Sequence, residues 1–241
     1  YDQLADTCAG LFRADEQDSQ AHEAYDNAIL EGLAGGFGAY RLRTEYEDDE
    51  DEENEKQRIR FEPIYDADSS VFFDLDAKRY DKSDAKYAFV MIAKTPEAYE
   101  EEFGENPASL QKTIHQRIFD WFSPKVVYVA EYYKIEEKSV TVHIYEGMMG
   151  ESEKYTSEEL TDEIEAELSA RGFKEVRSRK IKKKKVHKYL IDGVRVIEDM
   201  GIIAGKYIPI IPFYAQRWFI DNVERCAGIV RYAKDAQRLK N

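Results

Sequence analysis

Ten cationic side chains fall within the eighteen positions from Arg171 to Lys188: Arg171, Lys174, Arg177, Arg179, Lys180, Lys182, Lys183, Lys184, Lys185 and Lys188. Successive side chains on a strand point to opposite faces. The run Lys182 to Lys185 therefore makes both faces cationic, which does not suit a buried strand. Three chemistries fit it. The lysines could guard an edge strand against pairing with other sheets. They could contact nucleic-acid phosphates. They could also meet an acidic surface of a neighbouring subunit, for which residues 158–167 and 45–55 offer carboxylates.

The whole chain argues against simple nucleic-acid wrapping. Its 241 residues carry a net charge of -14, and phosphate binding rests on a cationic balance. Such an excess suits a surface that repels DNA or stays soluble.

Other chemistry-bearing residues lack the context their motifs need. Gly35, Gly36 and Gly38 follow a helix and open a strand, the reverse of a dinucleotide loop. No Lys-Ser or Lys-Thr pair follows them. They read as a tight helix-to-strand turn. Asp66, Asp68, Ser70, Asp74 and Asp76 resemble a calcium loop, but its sixth and twelfth positions are Val71 and Ala77 rather than Gly and Glu. His22, His115, His143 and His187 are scattered, with no ligand spacing. No G-x-S-x-G elbow occurs. No enzymatic activity, metal or cofactor is expected. Phe213, Tyr214, Trp218 and Phe219 either cover a sheet as a packed loop or form a partner-binding patch. The two cysteines, Cys8 and Cys226, suggest a reducing compartment, and no apolar run reaches membrane-spanning length.

The elements that must position these residues read as follows. Periodicity predicts a helix over 15–33, through Ala21, Tyr25, Ala28, Ile29 and Leu33. Alternation predicts strands over 39–46 and 58–64, the second ended by Pro63, and further strands over 70–73 and 86–93. The acidic run 45–55 between the first two is read as a solvated tip or loop. Thr95-Pro96 and Asn106-Pro107 are helix starts; the first helix ends at Gly104. The second carries Leu110, Ile114, Ile118, Trp121 and Phe122. Residues 125–135 and 139–145 read as a hairpin turning at Glu136-Glu137-Lys138. After a connection over 148–154, Thr156 and Glu159 form a capping box. The helix that follows, through Leu160, Ile164 and Leu168, ends at Gly172. A long basic strand spans 174–191, Asp192-Gly193 signals a two-residue turn, and residues 194–197 return.

Pro209 and Pro212 flank an apolar patch, and Trp218 and Phe219 sit in a short loop. An amphipathic segment runs from near Glu224 to Asn241 without a stop signal, so the chain is expected to be a piece of a longer protein. The fold class is α+β with mostly antiparallel hairpins.

Three blocks in order resemble one family. The first is Glu31-Gly32, then Gly38-Ala39-Tyr40-Arg41-Leu42, followed by Thr44, Tyr46, Glu47 and Asp48. The second is Glu62-Pro63-Ile64, then Asp74 and Asp81-Lys82-Ser83-Asp84-Ala85. The third is Ile208, Pro209, Ile210 and Pro212, then Gly228, Val230, Arg231, Lys234, Asp235, Gln237, Arg238 and Asn241. Ile181 with the lysines after it, and Tyr189, add a basic strand. Ala215 departs from the pattern, where glycine is expected. Together, over about 21–241, they resemble the portal protein of short-tailed, Salmonella-phage-type bacteriophages.

The resemblance implies a central fragment of a structural, non-enzymatic subunit that closes into a dodecameric ring at the capsid vertex. It implies a wing-like body over 1–147, a clip-like helix and basic hairpin over 148–205, and a connection with the start of a long helix over 206–241. Implied partners are other copies, the terminase, a tail adaptor, capsid and scaffolding proteins, and double-stranded DNA in transit, without a membrane. The implied location is the virion, with host cytoplasm during assembly. Candidate contacts to subunit, DNA or tail are Lys180, Lys182, Lys183, Lys184, Lys185, Arg231, Lys234 and Arg238. The alternative is a nucleic-acid-binding module using the Lys-rich hairpin.

Overall fold

The structure, a computed structural model, describes residues 2–48, 56–104, 125–147 and 150–240. The helix expected from Asn106 to Pro124, His115 within it, and most of the acidic run after Asp48 lie outside the described residues. Along the chain run α1 (Asp2–Asp18), α2 (Ala21–Gly35), β1 (Phe37–Tyr46), β2 (Gln57–Ile64), a single turn α3 (Ala67–Ser70), β3 (Val71–Phe73) and β4 (Tyr87–Lys94). Then come α4 (Pro96–Phe103), β5 (Val127–Glu146), β6 (Ser152–Thr156), α5 (Asp162–Ala170), β7 (Lys174–Ile191) and β8 (Val196–Ile203). β9 (Ile210–Tyr214), β10 (Gln216–Ile220), β11 (Val223–Ala227) and α6 (Ile229–Lys240) complete the chain. The pairings are antiparallel, as the α+β class predicts.

The single helix expected over 15–33 is two helices. Gln20 adopts φ 51 and breaks them, and the Ser19 hydroxyl donates to the Asp15 carbonyl at 2.5 Å, closing the end of α1. α2 ends as its glycines require. Gly36 takes φ 114 and donates its N–H to Gly32. A Cβ on Gly38 would lie 2.1 Å from the Ala28 carbonyl oxygen, so only glycine lets β1 pass this close beneath α2.

β1 lies between β2 and β9. Pro63 does not end β2. It sits within it opposite Tyr40, tolerated because β2 is an edge strand. The Pro-flanked apolar patch is strand β9, with Pro212 opposite Ala39.

The larger sheet runs β3-β4-β5-β7-β8, with β6 beside β5. Here the sequence misleads most. Glu136-Glu137-Lys138 is not a turn. β5 continues through it for 20 residues, about 65 Å at strand rise. Its partner is β7, in a register that sets Glu137 opposite Lys184 and Glu136 opposite Lys185. Cross-strand charge pairing on an extended ribbon replaces the loop that the polar triplet suggested. β6, expected as a connection, pairs with Val142–Glu146 of β5.

Asp192-Gly193 does not make a two-residue turn. The Asp192 carboxylate accepts from the N–H groups of Val194 and Arg195 at 2.7 and 2.8 Å, closing a four-residue loop before Val196 pairs with Ile191. The two-residue hairpin turn lies at Asp221-Asn222 instead, where φ is 50 and 64. Trp218 and Phe219 are therefore strand residues of β10, and Glu224 is in β11. The terminal helix begins only at Ile229. Thr95 caps α4 by accepting from Ala98 N–H at 3.2 Å, with Pro96 in the first turn. Glu159 accepts from Thr156 N–H at 3.0 Å, but this closes a turn ahead of α5, whose N-cap is Thr161.

The main core lies between the two sheets and joins Phe37, Ala39, Ile64, Val90, Tyr133, Val186, Ile210 and Tyr214. A separate cluster of Tyr145, Leu168 and Phe173 holds α5 against the far end of β5.

Candidate functional site

The basic run lies on β7, and its setting there is specific. β4 covers the other edge of β5 only as far as Lys134, and β6 begins at Val142. β8 accompanies β7 only from Val186 onward. From Lys180 to Lys185 the β5–β7 pair therefore stands as a two-stranded ribbon, with the outer edge of β7 unpaired among the described residues. Lysine on an exposed edge discourages pairing with other sheets.

The candidate lysines divide by partner. Lys182 and Lys184 share the Glu137 carboxylate at 3.1 and 3.5 Å. Hydrogen bonding and charge from Lys182, with Lys184 adding to both, hold that carboxyl below its usual range. Lys138 and Lys183 share Glu158 at 2.5 and 3.9 Å, which lowers Glu158 likewise, Lys138 first. Glu158, one of the carboxylates that a neighbouring copy could have offered, is thus engaged by its own ribbon. Lys180 and Lys185 make no ion pair among the described residues, and neither do Arg177 and Arg179, exposed further along β7.

Arg231, Lys234 and Arg238 lie on α6 at i, i+3 and i+7, which aligns them on one face. All three are exposed. Ile229, Tyr232 and Leu239 occupy the opposite face and are exposed as well. The start of α6 is fixed by Gly228, where a Cβ would lie 2.3 Å from the carbonyl oxygens of Leu33 and Ala34. The two candidate groups thus stand on separate elements: the lysines on the β5–β7 ribbon, the α6 cations beside the end of α2.

The remaining candidates have local duties. Asp74 accepts from Asp76 and Lys86 N–H groups at 3.0 and 3.1 Å, and Asp84 accepts from Lys78 N–H at 2.7 Å. These carboxylates shape the loop between β3 and β4. Among the described residues, no cluster of three or more His, Cys, Asp or Glu side chains could hold a metal ion. His143 Nδ1 lies 2.8 Å from Glu175, His187 Nε2 lies 2.6 Å from Asp199, and His22 is exposed. Phe213 packs over Gly32 and Tyr214 is buried, whereas Phe219 is exposed. The Arg231 guanidinium lies 5.7 Å over the Trp218 ring.

Two charge networks escaped the sequence reading. Glu131 receives Lys188 at 3.0 Å, the Tyr133 hydroxyl at 3.0 Å, and the Arg41 guanidinium. Arg41 also holds Glu62 at 2.8 Å. A lone acid in the apolar run VVYVAEYY was the available signal. Glu224 likewise receives Lys82 and Arg217, both at 2.7 Å, pinning the β10–β11 hairpin to the Asp81–Ala85 loop. Each network joins elements distant in sequence.

No helix among the described residues is long and apolar enough to cross a membrane. A family model described as phage P22-like portal protein matches residues 2–241. The chain is 43% identical over 240 residues to a protein named "Portal protein" from Acyrthosiphon pisum secondary endosymbiont phage 1. That match covers 99% of this chain and 33% of the relative, so the chain spans about a third of the relative's length. With a family model that matches residues 2–241 and an antiparallel α+β fold, the chain belongs to the phage P22-like portal protein family.

Proposed function

We propose that this chain is the central part of a structural subunit that closes into a dodecameric ring at the capsid vertex. DNA is packaged and later ejected through that ring. The subunit docks the terminase during packaging and the tail adaptor afterwards, and meets capsid and scaffolding proteins during assembly in the host cytoplasm. It performs no catalysis. The observation that carries the reading is the family match over residues 2–241.

The net charge of -14 fits a conduit. A wall that attracted phosphates at many points would hold DNA rather than let it slide. In this reading residues 1–147 are the wing-like body, 148–205 the clip-like part and 206–241 the connection into a channel-side helix. The β5–β7 ribbon couples the first two parts, because its strands come one from each. Lys180, Lys182, Lys183, Lys184 and Lys185 then face a subunit, DNA or tail component, and Arg231, Lys234 and Arg238 line the channel-side helix.

The test is negative-stain electron microscopy of the full-length protein, with native mass spectrometry of the same sample. Closed rings of about twelve copies, a cyclic assembly, are expected. Monomers or two-fold dimers at every salt concentration would overturn the reading. The second reading, a nucleic-acid-binding module, draws on Arg177, Arg179 and Lys180, which are exposed and make no ion pair among the described residues.

A further inference from the structure

The far end of the β5–β7 ribbon carries cations that its own chain leaves unmatched. Arg177 lies opposite Ile144 and Arg179 opposite Val142, while β6 sets Lys154 opposite the same Ile144. Residues opposite each other on paired strands share a face, and neighbours along one strand point to opposite faces. Lys154, Arg177 and Arg179 therefore surround Val142 and Ile144 on one face. Tyr145, the next residue of β5, points to the other face, where α5 packs on it through Leu168. The three cations are exposed and make no ion pair among the described residues, and Val142 and Ile144 are half-buried. Lys182, Lys183 and Lys184 already hold carboxylates of their own chain, so a partner falls to the cations beyond them.

α5 carries the complement. Ile164 and Leu168 face inward, which turns Glu163, Ala166, Glu167 and Ala170, at i, i+3, i+4 and i+7, onto one outer face. All four are exposed, and neither glutamate makes an ion pair among the described residues. α5 contains no basic residue to neutralise them. Glu167 stands in the last turn, where the helix dipole disfavours an anion, so a cation brought from outside is favoured twice. The spacings agree as well as the charges. Helix residues at i and i+4 stand about 5–6 Å apart at their Cβ atoms. Arg177 and Arg179, two residues apart on a strand, stand about 6.6 Å apart. Each guanidinium can take one carboxylate, and Ala166 and Ala170 are small enough to let the helix down onto Val142 and Ile144.

We infer that Glu163 and Glu167 of α5 in one copy bind Arg177 and Arg179 of β7 in a second copy of this chain, with Lys154 beside them. The helix and the arginines lie on opposite faces of the ribbon, so one chain cannot join its own. A second copy set alongside can. Two different faces of identical chains meet, so the contact is heterologous and repeats from copy to copy until it closes. Closure into a ring rests on the function proposed above; the contact itself needs only two copies.

The test uses the full-length protein. Isotope-labelled and unlabelled copies are co-assembled and treated with a carbodiimide, which joins a carboxylate to a lysine amine without a spacer. Mass spectrometry then identifies the linked peptides. Links between labelled and unlabelled copies, from Glu163 or Glu167 to Lys154, are expected. Arg177→Glu with Arg179→Glu should lower their yield about tenfold, since like charges are penalised at an interface. Native mass spectrometry adds a charge exchange. That pair of substitutions, or Glu163→Arg with Glu167→Arg, should raise the concentration for half-assembly about tenfold. All four together should restore it, because residues in contact are not additive. A fourfold variant that fails to recover, or links only within one copy, would overturn the inference. Rings seen by microscopy without the link would overturn it too and leave the ring reading standing. Linked copies that never close into rings would uphold the contact and overturn the ring.

Discussion

Glu131 and Lys188 meet across the β5–β7 pair at 3.0 Å, each side chain 8% exposed. They stand on the same face of neighbouring strands, because Lys188 lies opposite Tyr133, two residues from Glu131. Arg41 reaches the same carboxylate from β1. One acid thus joins the two sheets at the centre of the body.

Removing that acid leaves Lys188 buried without a counter-charge and Arg41 with Glu62 alone. Glu131→Gln keeps the volume and one hydrogen-bond acceptor but not the charge. It should cost about 3–5 kcal/mol, the range for breaking one partner of a buried pair. Urea unfolding of the chain and its variant measures this. A loss indistinguishable from zero would mean that the three side chains reach solvent in the folded protein.

The same carboxylate sets an acid limit on stability. Burial by itself raises its pKa, but the charges of Arg41 and Lys188, with hydrogen bonds from Lys188 and Tyr133, outweigh burial and hold it below the usual carboxylate range. A group lowered on folding contributes stability above its unfolded pKa, about 4.3 for glutamate. That contribution is lost as pH falls through the folded value. Urea midpoints measured from pH 6 down to pH 3 should therefore drop more steeply for the native sequence than for Glu131→Gln. Parallel curves would assign the acid sensitivity to other carboxylates.

What could be read from the sequence was set by the range of the forces involved. β7 was legible across its full span because a cationic run on both faces, interspersed with Val176, Ile181, Val186 and Ile191, marks an exposed strand. The capped start of α4 and the glycine turn at the end of α2 were legible because they are local. The hairpin expected at Glu136-Glu137-Lys138 was not. Three polar residues between two apolar runs favour a turn locally, and it is Lys182 and Lys184 on the opposing strand, sharing Glu137, that make the extended path favourable. The partner lies about 45 residues away. Asp192-Gly193 misled for a related reason: the Asp192 side chain closes a longer loop through its own hydrogen bonds. The candidate lysines were visible as a charge run, but their division between the Glu137 and Glu158 pairs and open solvent follows from register.

Two glycines should respond oppositely to the same substitution. A Cβ at Gly38 would meet the Ala28 carbonyl at 2.1 Å, whereas nothing lies within 4 Å of one at Gly10 in α1. Gly38→Ala must push α2 away from β1 and should cost about 1–3 kcal/mol, as overpacking does. Gly10→Ala should instead gain about 0.5–1 kcal/mol from helix propensity. Thermal unfolding of the two variants decides it. Equal shifts would place α2 further from β1 than described.

The ribbon separates the conduit reading from the nucleic-acid module. Arg177 and Arg179 project into solvent without ion pairs among the described residues, while Lys182 and Lys184 already share Glu137. In a binding module, each phosphate neutralised contributes about 0.9 to the slope of log affinity against log salt. Arg177→Ala with Arg179→Ala would then lower the slope by about 1.8, and Glu137→Gln would tighten binding by freeing two lysines. In a conduit, the charge of -14 keeps duplex DNA at a distance. Binding of a fluorescent duplex measured from 50 to 300 mM salt should therefore be weak, shallow in slope and indifferent to all three substitutions. A steep slope that the arginine pair reduces would move the ribbon from subunit and tail contacts to DNA.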